Sequence, residues 1–187
     1  MSAKTDNSNL ESKLELRRYF LQKYPPISVL DCCQGSCILW NVLRKEFAPR
    51  VYFPVDVKPK KGRIKMDSAR ILAASGWSYD CIDVDTYGEP WVHWKHIVEY
   101  GRGAISVFLT YGTVMIRGGR VSDDLAAWCG MGPLLGIVPR SLQASCADIA
   151  APYALNRAVL AGFSVLEALE APASKNARYF GIRMVRN

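Results

Sequence analysis

Histidine is scarce in this sequence, with 2 in 187 residues. The six cysteines, at 32, 33, 37, 81, 129 and 146, include no C-x-x-C pair, so a zinc clamp is not expected. His93 and His96 are three apart on a predicted helix, but no third ligand accompanies them, and no metal is expected. No apolar run approaches the roughly 20 residues of a membrane span. The start, MSAKTDNSNLESKLELRRYF, lacks the apolar core of a signal peptide. Several cysteines sit in apolar contexts, as buried free thiols do. A reduced, cytoplasmic protein without disulfides is the expectation. There is no G-x-G-x-x-G, which argues against a nicotinamide or flavin oxidoreductase. No internal repeat or low-complexity tract is present.

Half of the residues are hydrophobic, which suits one domain with a sizeable core. Residues 1–9 are polar and expected to be disordered, leaving one domain over 10–187. The net charge is +7. That balance is compatible with an anionic partner such as nucleic acid.

Leu10 to Tyr24 reads as an amphipathic helix stopped by Pro25-Pro26. Short apolar runs at 27–31, 50–56 and 79–85 read as strands, each followed by a helical stretch. Residues 104–112, AISVFLTYG, form a continuous apolar strand of the kind buried on both faces. Residues 113–148 look irregular, and 147–163 look helical. Two closing strands, SVLEALEAP and ARYFGIRMVR, flank a turn as in a hairpin. The alternation predicts an α/β fold with a mostly parallel, Rossmann-like sheet, helices on both faces and an antiparallel strand at the end.

Acids stand at successive strand ends or just beyond: Asp31, Asp56, Asp67 and Asp85. Each has a bland explanation as a cap of the next turn or helix. As a group they lie where open α/β sheets bind ligands, beyond the carboxyl ends of the strands. Gly35 allows close approach to the backbone. Asp56 follows it by 21 residues, the usual distance from a glycine turn to the acid that accepts ribose hydroxyls.

The segments VLDCCQGSC, VYFPVD, KMDSA and IDVDTYGEP resemble, in order, four motifs of class I S-adenosylmethionine-dependent methyltransferases. The last is similar to the IDxDPFGxP segment of tRNA guanine-N2 dimethyltransferases, with Thr86 and Tyr87 in place of proline and phenylalanine. Cys37 stands where the first motif has its second glycine. The 187 residues leave no room for the extra C-terminal domain of those tRNA enzymes, so tRNA is not the expected substrate. The resemblance implies a seven-stranded sheet and S-adenosyl-L-methionine as cofactor. It implies that Asp31, Gly35, Asp56, Asp67, Ser68 and Asp83 belong to the cofactor site. Gly35 would line the methionine part, Asp56 the ribose, and Asp67 with Ser68 the adenine. Asp83 would support the strand end or the pocket, and Asp80 would be a solvated strand start. Asp85 and Tyr87 would stand at the transferable methyl group, as the acid that orients an amine nitrogen and a ring that stacks on a planar acceptor. Packing at a strand end is the alternative for Tyr87.

Trp91, Trp94 and Ile97 share helical spacing, which favours core packing over base stacking. Lys58, Lys60, Lys61, Arg63 and Lys65 form a basic loop, suited to phosphate contacts or simply to solvent. The expected activity is methyl transfer to an amine nitrogen, on nucleic acid if the charge is informative. The alternative is a non-catalytic protein of the same fold that binds nucleic acid or serves as a scaffold.

Overall fold

The computed structural model describes residues 9–59, 64–86, 88–113, 121–128, 139, 141, 145–171 and 177–186. Helices are α1 (Leu10–Lys23), α2 (Ile38–Phe47), α3 (Ser68–Ala73), α4 (Trp91–Tyr100), α5 (Asp123–Trp128) and α6 (Cys146–Leu160). Strands are β1 (Ser28–Asp31), β2 (Val51–Pro54), β3 (Cys81–Asp85), β4 (Gly103–Gly112), β5 (Ser164–Ala171) and β6 (Ala177–Arg186). They form one sheet in the order β2-β1-β3-β4-β6-β5. β2, β1, β3 and β4 are parallel, and β6 runs antiparallel to both β4 and β5.

The described sheet has six strands, not the seven implied by the resemblance. Beyond β2 there is a single parallel bridge, between Asp56 and Lys65. Two backbone bonds hold it, from the Asp56 amide to the Ile64 carbonyl and from the Met66 amide to the Asp56 carbonyl. The intervening residues 57–64 carry four cations, and their aliphatic ends Val57 and Ile64 are exposed, so they give an added strand little to bury. The stretch expected to be irregular contains the short helix α5.

Strand alternation divides the core in two. Leu30, Ile82, Val84, Val107, Leu109 and Ile182 pack beneath α3, α4, α5 and α6. Val29, Cys81, Phe108 and Tyr179 face α1 and α2. Ile105 through Tyr111 are buried without a break, because β4 is covered on both sides. Gly181 lets α1 approach closely: a Cβ there would lie 2.5 Å from the Phe20 ring. Trp91, Trp94 and Ile97 are buried in the core, as their spacing predicts. No described helix is long and apolar enough to cross a membrane.

Candidate functional site

The chain passes from β1 outward to β2, then back across to β3. The switch point lies between β1 and β3, and a crevice beyond their carboxyl ends is the place for a ligand in such a sheet. Asp31 closes β1, and Asp83 pairs with it on β3. Asp83 and Asp85 are two apart on one strand, so both point toward α1 and α2.

Two cations from α1 meet them. Arg17 is buried, and its guanidinium forks onto Asp83, with Nε 2.7 Å from Oδ2 and Nη2 2.6 Å from Oδ1. The Trp40 indole donates to the same Oδ2 at 2.7 Å. Burial works against the Arg17 charge, but Asp83 more than offsets it and holds the guanidinium protonated. Lys13 donates to Asp85, at 2.7 Å from Oδ1 and 3.0 Å from Oδ2. Burial pushes the Asp85 carboxyl up, but Lys13 and Arg17 outweigh it and hold it below the ordinary carboxylate range.

Asp31 has no cation bonded to it among the described residues. Its carboxylate accepts the Tyr52 hydroxyl at 2.7 Å. Burial and the adjacent Asp83 charge push its pKa up to about 8, against the pull of Tyr52. Among the described residues, three carboxylates thus share two cations and, at neutral pH, a proton on Asp31.

The glycine turn and its distant acid meet directly. The Gly35 amide donates to Asp56 Oδ2 at 2.9 Å, and the Lys58 amide to Oδ1 at 2.7 Å. Gly35 has φ +48°, a left-handed conformation that glycine adopts without strain. Cys37 is also left-handed, at φ 61°, so a cysteine here takes the backbone conformation that a glycine would. Its thiol turns into the core, 3.4 Å from the Tyr52 hydroxyl and 3.5 Å from Gln34 Nε2. The five described cysteines form no disulfide with one another.

Asp67 caps α3, accepting the Ala69 amide at 3.0 Å, and is exposed. Ser68 is buried, donates to the Cys32 carbonyl at 2.9 Å and meets His93 Nε2 at 2.8 Å. With its proton on Cys32, the Ser68 oxygen accepts from His93. Burial lowers His93 to about 4, so the ring is neutral. His93 therefore joins α4 to the start of α3 and the end of β1. It has no third metal partner among the described residues.

The turn after β3 is tied to β4. Thr86 donates to the Thr110 carbonyl at 3.1 Å, and the Gly112 amide to the Gly88 carbonyl at 2.8 Å. Ser122 donates to Glu89 and accepts the Leu125 amide, fastening this turn to α5.

Asp31, Asp83 and Asp85 are thus gathered at one crevice, and Asp56 and Gly35 at its β2 side. Both Asp83 oxygens are occupied by Arg17 and Trp40, so its contacts are those of support. Ser68 likewise spends its hydroxyl inside the protein. Asp80 corrects its expectation: it is no solvated strand start, because its carboxylate accepts the Ile27 and Ser28 amides, both at 2.9 Å. Tyr87, Lys60, Lys61 and Arg63 lie outside the described residues. Lys13, Arg17, Trp40, Tyr52 and His93 were not singled out for these roles from sequence. Lys13 and Arg17 stand four apart, one helical turn, which is the signal available for them.

No protein-family model and no curated protein sequence matches the chain. Solved structures do. Trm1 from Pyrococcus horikoshii with S-adenosyl-L-methionine superposes with a TM-score of 0.62 at 14% identity, over 99% of this chain and 57% of that one. The chain thus spans little more than half of that protein's length. TYW2 from M. jannaschii in complex with AdoMet gives 0.62 at 10% identity, over 100% of this chain and 80% of that one. The putative methyltransferase yhhF from Escherichia coli gives 0.57 at 12% identity, over 100% and 90%. Identities this low speak for architecture alone, and the architecture is the class I S-adenosylmethionine-dependent methyltransferase fold.

Proposed function

We propose that this chain is an S-adenosyl-L-methionine-dependent methyltransferase acting on an amine nitrogen. The observation that carries this reading is the bond between the Gly35 amide and Asp56, on the β2 side of the crevice in a methyltransferase fold. Asp56 uses one lone pair of each oxygen on a backbone amide, and the others remain for a ribose diol. Gly35 is exposed, and its missing side chain leaves room for the methionine part. The nearest atom to a Cβ built there is 3.7 Å away. Asp31, buried and with no cation bonded to it among the described residues, suits a positively charged group of the cofactor. Asp67 at the head of α3 is exposed and suits an adenine amino group.

The bound cofactor would supply an electrophilic methyl group on a sulfonium. The protein's task is then to aim a nitrogen lone pair along the S–CH3 axis. Asp85, held ionised by Lys13, accepts an N–H bond from the acceptor and directs its lone pair away. The proton released by the methylated nitrogen would pass to Asp85 or to water. The weak basicity of an ion-paired carboxylate makes orientation its larger contribution. Nucleic acid is the proposed acceptor class, supported by the charge and by Lys58 and Lys65, both exposed.

One observation favours a second reading, a non-catalytic protein of this fold. Lys13 already occupies both Asp85 oxygens. The test begins with S-adenosylhomocysteine. Calorimetry and thermal shift should show saturable binding and a melting temperature that rises with ligand concentration, with no response to NAD. Binding of NAD without binding of S-adenosylhomocysteine would sink the methyltransferase reading. Binding of S-adenosylhomocysteine, without methyl transfer to RNA, DNA or protein, would favour the second.

A further inference from the structure

The cleft between α6 and the strands β4, β6 and β5 has no part in the site above. It encloses about 240 Å³ and is walled by Trp91, Leu109, Ala151, Pro152, Ala154 and Phe180. An apolar cavity of about 150 Å³ takes up benzene, so this space suits a benzene-sized ring with a short chain. The cleft exists because α6 turns small side chains toward the sheet. Ala150, Ala154 and Ala158 are all buried along it.

Two polar features point to an occupant. Trp91 is 1% exposed, and its indole N–H has no hydrogen-bond partner among the described residues. A buried donor left unmade is costly, and an acceptor on a bound molecule would satisfy it. At the mouth, Arg178 forks onto Glu170 at 2.6 and 2.7 Å but reaches Asp148 only at 3.4 Å. One guanidinium faces two carboxylates, and its fork is already complete with Glu170. Pro152 adds an acceptor. It has no amide proton, so the Asp148 carbonyl four residues earlier loses its usual helical partner. An anion would find Arg178 engaged and Asp148 in its way. A cation finds unspent acceptors and surplus negative charge.

We propose that this cleft binds a compact arylalkylamine. The ring lies among Trp91, Leu109 and Phe180, an oxygen on the ring accepts from the Trp91 indole, and the ammonium sits at Asp148. The cleft borders β5, at the opposite edge of the sheet from Lys58 and Lys65 beside β2. It lies on the face away from Asp31, Asp83 and Asp85. The inference therefore stands apart from the proposed methyl-transfer site.

The test uses the full chain and two probes, tyramine and its neutral counterpart 4-ethylphenol. Titration calorimetry should show saturable tyramine binding with a dissociation constant on the order of 0.1–1 mM, and 4-ethylphenol about tenfold weaker. Asp148→Asn changes an exposed side chain and should bring tyramine down to the level of 4-ethylphenol. Ala154→Leu fills the cleft and should abolish both. A cooperative melt checks that each variant is folded. If Ala154→Leu does not fold, Asp148→Asn decides. No saturable tyramine binding, equal affinity for the two probes, or unchanged binding in Asp148→Asn overturns the proposal. S-adenosylhomocysteine binding, measured in the same variants, should be unchanged, so failure of the two readings is distinguishable.

Discussion

Lys13 places its ammonium on both oxygens of Asp85, at 2.7 and 3.0 Å, across 72 residues of sequence. The pair fastens the first helix to the strand end where methyl transfer is proposed. Both side chains are largely withdrawn from solvent, at 11% and 22% exposure. Surface screening therefore weakens the pair only in part.

Lys13→Met removes the charge and keeps most of the volume. It should destabilise the fold by about 1–3 kcal/mol at neutral pH, the cost of leaving a largely buried group unsatisfied. The pH dependence should change sign. In the wild type, Asp85 titrates below its unfolded value, so its contribution is complete above about pH 4 and is lost on acidification. Without Lys13, burial is opposed mainly by Arg17 and should raise Asp85, so its contribution should fall as pH rises from about 4. Urea midpoints measured from pH 3 to 7 report both slopes. A variant with the wild-type slope would mean that Lys13 does not govern this carboxylate.

Asp31 gives the opposite pH signature in the wild type. Its folded pKa is raised to about 8 by burial and Asp83. Between the unfolded carboxylate value, about 4, and 8, the folded state binds the extra proton. Stability from this residue is thus complete below about pH 4 and lost as pH rises through 8. Asp31→Asn stays neutral throughout, so its stability relative to wild type should climb steadily from pH 4 to 8. A constant difference over that range would remove Asp31 as the titrating group. The same proton should leave when cationic S-adenosyl-L-methionine binds. Calorimetry at pH 7 in buffers of different ionisation enthalpy measures that release.

Much of this site was legible as types of residue at intervals. The glycine turn and the acid 21 residues later do meet, because β1 and β2 are parallel neighbours whose ends lie together. The six strands follow from apolar runs and their breaks. The seventh, implied by resemblance, is not found among the described residues, where beyond β2 there is only the bridge of Asp56 with Lys65. The α1 cations were hidden for a physical reason. A lysine and an arginine on an amphipathic helix read as its solvent face, yet Lys13 and Arg17 lie buried beside Leu14 and Phe20. Their partners are 72 and 66 residues away. Only the sheet register, which puts Asp83 and Asp85 on one face, shows why the helix carries them. Cys37 was illegible in a different way. The motif glycine that it replaces points to the left-handed backbone, but nothing in the sequence shows its thiol turned in to Tyr52 and Gln34.

Asp56 separates ligand binding from folding. Its two amide partners, Gly35 and Lys58, are exposed and can turn to water in Asp56→Ala. The variant should keep its fold, with a stability loss below about 1 kcal/mol. S-adenosylhomocysteine should bind more weakly by about 1.5–3 kcal/mol, the range for hydrogen bonds to a charged group. Calorimetry on both proteins measures this. Unchanged affinity would leave Asp56 as a link between two turns and nothing more.

The basic loop offers a test of the acceptor class. Lys58 and Lys65 flank the bridge beyond β2, and both are exposed. If they contact phosphates, affinity for RNA or duplex DNA should fall steeply with salt. Lys58→Gln with Lys65→Gln should then lower the slope of log affinity against log salt by about 0.7–0.9 per lost contact. Fluorescence anisotropy with labelled oligonucleotides provides the curve. A protein without nucleic-acid affinity at low salt would move the acceptor toward proteins or small molecules.

Asp85 itself decides between the two readings of the site. A group that orients the acceptor contributes in the transition state more than in the cofactor complex. Asp85→Asn retains size and one acceptor oxygen but loses the charge that Lys13 pairs. It should bind S-adenosylhomocysteine almost as the wild type does and transfer methyl groups about 100- to 10,000-fold more slowly. The loss of the ion pair lowers stability too, so rates must be compared well below the variant's melting temperature. Lys13→Met is the necessary companion. It leaves the carboxylate in place but raises its pKa, so its transfer rate should recover as pH rises, whereas Asp85→Asn should show no such recovery. A screen of labelled methyl transfer onto total RNA, DNA and protein identifies an acceptor first. If Asp85→Asn then matches the wild-type rate, the Lys13–Asp85 pair is a structural clasp. The orienting role would then have to fall to another group near the end of β3.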